Sequence, residues 1–303
     1  MKELSDKGIS YSAGFFMLIA LAIGGIMVGS FLSIPIIMLM SGKSITAIQD
    51  IMGNPAYFRE LQVMQSISAI FGFLLPTIFG AALLSKRPFK LIGFTGKPSI
   101  REVLLTIGII ALGLALNGAL AYLSYQIPFP TYLQEFFTRL ENNYLETAAN
   151  IINLDNPFEL FVSIIVLGLL PAVCEETLFR GGLQNYLYRS THKFWLSILV
   201  VSFIFSIVHF SAYGFLSRFF LGIVLGLLYQ YSGKLWLPII AHFINNATAI
   251  VVMYVQKSNG KTMAELMSDK DGSYWGLLSI PFIILLFVRF RHITNKTKTI
   301  NGI

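Results

Sequence analysis

The stretch Pro171-Ala172-Val173-Cys174-Glu175-Glu176-Thr177-Leu178-Phe179-Arg180 places two carboxylates and a guanidinium directly behind the apolar run from Phe158 to Leu170. The chain has only 15 acidic residues in 303, so such a pair inside apolar sequence calls for a reason. Ionisable groups at membrane depth are costly, face a protein interior or a wet cavity, and carry function. Two later apolar runs add His209, four residues after Phe205, and His242, four residues before Asn246. A glutamate, two histidines and a carboxamide in one apolar scaffold point to chemistry rather than architecture.

Spacing sorts these residues further. Glu176 and Arg180 are four apart and share a helix face, so a buried arginine finds its carboxylate there. Glu175 then lies about 100° around the helix. Without a counter-ion and among apolar groups its pKa is expected to rise, which suits a general base near neutral pH. The plainer alternative makes all three charges one structural ion-pair cluster. Phe205 and His209 share a face, and His242 and Asn246 can point at one centre. A lone histidine on an apolar helix is usually a satisfied core residue; two histidines with a carboxamide and a glutamate change that balance. Two histidines and a carboxylate can also hold zinc with one position open. No His-Glu-x-x-His occurs, however, and asparagine is a poor zinc ligand, so the residues leave metal dependence open. Cys174 reads as a small buried hydrophobe rather than a nucleophile. His192 and His292 read as solvated surface residues.

The elements that must position this set are membrane helices. Hydrophobic residues make up 55% of the chain and charged residues 12%, about half the charged share of a soluble domain. The mean hydropathy of +0.70 places the protein in a bilayer. Eight runs are long enough, or nearly so, to cross as helix: about 12–40, 65–84, 103–125, 157–174, 194–210, 214–231, 235–256 and 274–290. The expected fold is therefore all-α, a polytopic bundle of about eight transmembrane helices in a single membrane domain over 1–303, with N-terminal spans over 1–125. The first run is twice the length of a signal-peptide core and reads as a span, with room to bend near Ser33 and Pro35. The fourth run should continue past Arg180 and turn only near Thr191 to Lys193. Gly25-x-x-x-Gly29 and Gly222-x-x-x-Gly226 offer close helix contacts. Between the third and fourth runs, Leu133, Phe136, Phe137, Leu140, Tyr144 and Ala148 recur at helical spacing, with Glu135, Arg139, Glu141 and Glu146 between them. This segment is expected to lie in the interface, as a surface helix or as a gate over a substrate entrance. Fifteen of the 22 Lys and Arg fall on the side of the N-terminus, which the positive-inside rule makes cytoplasmic. The net charge of +7 is then loop charge, and no nucleic-acid partner is expected.

Glu-Glu-x-x-x-Arg at 175–180, Phe-x-x-x-His at 205–209 and His-x-x-x-Asn at 242–246, in that order, resemble the CPBP family. These are the CAAX-protease and bacteriocin-processing membrane proteins, also called Abi, and the resemblance covers about 157–256. It implies an intramembrane endopeptidase cutting near the C-terminus of a lipid-modified, CAAX-like or membrane-associated peptide or protein. The position of Glu175 would activate the attacking water, and that of His209 would assist. Those of His242 and Asn246 would hold and polarise the scissile carbonyl, with Asn246 resembling an oxyanion donor. Glu176 and Arg180 match supporting positions. Family members are described both as metalloproteases and as metal-free glutamate enzymes, so a divalent metal such as zinc stays open as a cofactor. The expected location is a bacterial cytoplasmic membrane. Two other classes compete: a proton-coupled transporter, which also uses buried Glu and His, and a non-catalytic scaffold or immunity protein. No inverted repeat supports the transporter, and a scaffold need not keep all three motifs together.

Overall fold

The computed structural model describes residues 4–262 and 273–300, with side chains to residue 295. All regular elements among them are helical. Seven helices are long and apolar enough to cross a membrane: α1 (Tyr11–Ser41), α2 (Pro55–Leu84), α3 (Ile100–Gln126), α5 (Pro157–Thr191), α7 (Phe215–Ser232), α8 (Trp236–Ser258) and α9 (Tyr274–Asn295). The amphipathic α4 (Thr131–Ile151), the shorter apolar α6 (Phe194–Ile207) and short helical turns such as Ile48–Met52 and Pro88–Leu91 lie between them. The seven spans and α6 correspond to the eight apolar runs of the sequence. The protein is an all-α, polytopic integral membrane protein. Outward-facing Phe16, Phe31, Leu104, Phe161 and Leu285 would be a liability in water. Against lipid they are ordinary.

Contacts divide the chain into two compact units. One comprises Met1–Ile92, Leu145–Thr191 and Asn246–Met267; the other comprises Gly93–Tyr144, His192–Asn245 and Ser268–Ile303. In the first unit, glycines let helices approach to backbone contact. A Cβ built on Gly25 would land on the carbonyl oxygen of Phe71, and one on Gly29 would meet the Phe71 Cβ at 3.0 Å. This is the close contact expected of the Gly25-x-x-x-Gly29 pair. Gly182 of α5 likewise leaves room for Leu18 of α1.

Two spans of this unit widen into π-helix, over Ile70–Leu74 in α2 and Ile164–Leu169 in α5. A proline follows each by two residues, Pro76 and Pro171. Proline lacks the N–H for an i→i−4 bond, and its ring crowds the carbonyl four residues back. Those carbonyls belong to Gly72 and Leu167, inside the two π segments, so the wider turn takes up the clash. A third π segment, Thr177–Gln184, has no proline and starts directly after Glu176. As expected, the fourth apolar run continues as helix past Arg180. It ends at Thr191, where His192 has φ 56° and α6 begins at Phe194.

The second unit is built on an apolar core of Ile109, Ile110, Leu116, Leu225, Leu228 and Phe290. Helix α3 starts in a capping box of Ser99 and Glu102, and both Glu102 oxygens also accept from Lys234, at 2.8 and 2.7 Å. Gly222 packs on Ser202, whose Cβ would lie 2.8 Å from an added Cβ.

Candidate active site

Helix α5 carries the glutamate part of the site. Arg180 Nη1 donates to Glu176 Oε1 at 3.0 Å, and both side chains are fully buried. The pairing follows from the i,i+4 spacing, as the sequence indicates. Glu175 differs from its neighbour in being only half-buried. It is not freed from counter-charge, however, because Arg180 interacts electrostatically with both carboxylates. This corrects the sequence-based picture of an isolated Glu175. The three charges form one cluster with an inner pair and an outer carboxylate. Beyond the π segment, Asn185 anchors the helix by donating to Leu91 O at 2.6 Å and Gly181 O at 3.2 Å, while Arg189 Nε donates to Asn185 Oδ1 at 2.9 Å. Wider turns of this kind are frequent at functional sites, because they redirect side chains within an otherwise regular helix.

The histidines belong to the second unit, and here the expected helix face fails. His209 lies beyond α6, which ends at Ile207 with Val208 as its cap. In a continued helix the backbone N–H of His209 would bond to Phe205 O. Instead the His209 ring takes that carbonyl, with Nδ1 at 2.7 Å, and the backbone N–H turns to Ser206 O at 3.3 Å. The side chain thus ends its own helix. A carbonyl only accepts, so Nδ1 carries the proton and, in the neutral ring, Nε2 carries the lone pair. The next residue, Phe210, sits at φ 52°, a left-handed conformation that costs a non-glycine residue roughly 1–2 kcal/mol. Such strain persists where surrounding contacts over-determine it, commonly at sites of function. The Phe205 ring lies edge-on to both imidazoles, with centroids 5.0 Å from His209 and 5.7 Å from His242. Phe205 and His242 are buried, whereas His209 is half-buried. One turn after His242, α8 carries Asn246. Asn245 Oδ1 accepts from Asn117 Nδ2 at 3.3 Å.

Sequence reasoning misses Glu141. Spacing puts it on the polar face of the interfacial segment, yet it is buried. Its carboxylate accepts from Ser211 Oγ at 2.9 Å and from the Tyr213 N–H at 3.0 Å. Phe136, on the apolar face by the same spacing, is instead exposed. No local pattern marks Glu141, since its partner Ser211 lies 70 residues away. Among the described residues no three His, Cys, Asp or Glu side chains group as a metal site.

Comparison with known proteins bears on this same region. Residues 157–248 match the family model of the type II CAAX prenyl endopeptidase Rce1-like proteins. The matched segment holds all three motifs, so the resemblance read from them is borne out for this part of the chain. Two proteins of Bacillus subtilis (strain 168) are similar to the chain. One is the uncharacterized protein YpbD, 38% identical over 91 residues, which is 28% of this chain and 42% of that protein. The other is named "Putative membrane peptidase YdiL", 33% identical over 93 residues, 31% of this chain and 37% of that protein. The chain thus spans about two fifths of the length of the curated relatives it matches. No solved structure matches it.

Proposed function

We propose that the protein is an intramembrane endopeptidase that cleaves a peptide or a membrane-associated protein near its C-terminus, with a prenylated, CAAX-like tail as the leading substrate class. The observation that carries this reading is the presence of all three motifs, in order, inside the segment that matches the Rce1-like family. In this reading Glu175 takes a proton from water while the oxygen attacks the scissile carbonyl carbon. The carbonyl oxygen becomes an oxyanion, which the Asn246 amide and His242 stabilise by hydrogen bonding. The proton passes to the leaving amine as the C–N bond breaks, and His209, with Nε2 as its bare nitrogen, assists the transfer. Glu176 and Arg180 hold the segment from which Glu175 projects.

The chemistry balances without a metal and does not exclude one. Were a divalent ion such as zinc present, the histidines and Glu175 would be its ligands, and it would polarise the carbonyl. We place the protein in a bacterial cytoplasmic membrane with its N-terminus inside. The test is a peptidase assay on purified protein in detergent, with prenylated and unprenylated peptides and Glu175→Ala as control. Cleavage by wild type and none by the variant is expected, and a parallel arm with chelator reports metal dependence. Proton flux in vesicles without any cleavage would overturn the reading in favour of transport.

A further inference from the structure

We propose that Glu141 is a positioning residue for His209, and that α4 is a clamp seated on the loop that presents this histidine. The proposal rests on the reading of His209 as part of the peptidase site.

One face of α4 meets the segment from 211 to 218 at three successive points. Thr138 Oγ1 lies 3.4 Å from the Tyr213 hydroxyl. One turn on, Glu141 accepts from the Ser211 hydroxyl and the Tyr213 N–H. After another turn, the Tyr144 ring lies under the Arg218 guanidinium at 4.5 Å. Residues spaced by three stand on one helix face, so a single surface of α4 makes all three contacts. Tyr213 is also held by Tyr125, whose ring stacks on it at 4.2 Å and 17°.

The loop itself is short of freedom. Ser206 Oγ donates to Phe215 O at 2.7 Å, tying the end of α6 to the start of α7. The Ser211 hydroxyl oxygen accepts the Gly214 N–H at 3.1 Å while its proton goes to Glu141. Between these anchors sit His209 and the left-handed Phe210. A carboxylate is an expensive way to fasten a helix to a loop. Glu141 is buried, forms no ion pair among the described residues, and is held by neutral donors alone. Apolar side chains would hold the helix at lower cost. What the carboxylate adds is direction, because its oxygens fix a hydroxyl and a backbone N–H only two and four residues beyond His209. That geometry sustains the strained turn at Phe210 and the off-helix placement of the imidazole.

The experiment compares wild type, Glu141→Ala, Glu141→Gln and His209→Ala in detergent. It reads kcat and KM per folded molecule, melting temperature, and hydrogen–deuterium exchange of peptides covering 206–216. Misplacing a reacting group by about 1 Å can cost on the order of 10²-fold in rate. We expect Glu141→Ala to lose about that factor in kcat with KM little changed, and to raise exchange at 211–214. Glu141→Gln keeps an oxygen able to accept both bonds and should recover most of the rate. Loss of folded protein with unchanged kcat per folded molecule would overturn the proposal, as would a glutamine variant as impaired as the alanine one. Cleavage surviving in His209→Ala would sink the underlying site assignment instead. If wild type cuts no peptide, the exchange data still decide the clamp: unchanged exchange in Glu141→Ala refutes it.

Discussion

Arg180→Ala tests the inner part of the site most directly. Arg180 and Glu176 are both fully buried and 3.0 Å apart, and Arg180 is among the largest fully buried side chains of the protein. Removing the guanidinium leaves the Glu176 carboxylate in the interior without its partner. Breaking a buried pair this way costs about 3–5 kcal/mol in soluble proteins, against a whole-domain stability of roughly 5–15 kcal/mol. At about 1.4 kcal/mol per factor of ten, the folded-to-unfolded ratio falls by roughly two to three and a half powers of ten. In thermal terms this is a drop on the order of 10 °C. Truncation also opens a cavity, so a second variant separates the two effects. Arg180→Met keeps most of the volume but still strands the charge, and should remain destabilised. Combining it with Glu176→Gln removes both charges at nearly constant volume, and pairs replaced in this manner are often neutral or gain stability. The double variant should therefore melt closer to wild type than either alanine or methionine at 180 alone. The assay is size-exclusion recovery of detergent-solubilised protein after a heating series, with peptidase rate per recovered molecule measured in parallel. A wild-type melting curve for Arg180→Ala would refute this reasoning. If that stable variant had also lost turnover, Arg180 would belong to the chemistry or to substrate binding.

Glu175→Gln preserves shape and hydrogen bonding while removing the base, so turnover should vanish with the melting temperature unchanged; near wild-type cleavage would overturn the assignment. Asn246→Ala should retain weak activity, about 10²–10³-fold down in kcat, as for the loss of one oxyanion donor. Gly25→Ala drives a methyl into the Phe71 carbonyl and should cost about 1–3 kcal/mol, whereas Gly24→Ala, with nothing within 4 Å of its Cβ, should be neutral or slightly stabilising in the same melting series. Outside the spans, the hydrogen bond from Lys257 holds the Asp155 carboxyl below its ordinary value. That contribution is present above the ordinary carboxylate pKa and is lost as pH falls through the lowered one. Because both partners are substantially exposed, Asp155→Asn should shift stability by well under about 1 kcal/mol near pH 7 and by nothing in high salt or strong acid.

The spans, their order and the Glu176–Arg180 pair were legible in the residues, because hydropathy and i,i+4 spacing are local properties that a helix expresses wherever it packs. The Gly25-x-x-x-Gly29 contact was legible for the same reason: small residues one turn apart leave a groove whatever fills it. Pro76 and Pro171 carried a signal for the first two π segments, since a proline in a long span must displace the carbonyl four residues back. The third π segment, with Gly181 and Gly182 in place of a proline, had no such local signal; there Gly182 leaves room for Leu18 of α1. Tertiary structure also decided the outcomes that spacing got wrong. His209 left the helix because its ring competed for the Phe205 carbonyl, and the strained turn behind it is held by contacts from α4. Glu175 proved to lie within the electrostatic reach of Arg180 as well, because the next residue along the helix stays close to the charge that its neighbour binds. Glu141 looked like a surface charge because a buried carboxylate is recognisable only by its donors, and Ser211 and Tyr213 reach it from 70 and 72 residues away. Helical periodicity fixes which way a side chain leaves its own helix, whereas the partner that meets it there is set by chain segments with no local trace of each other.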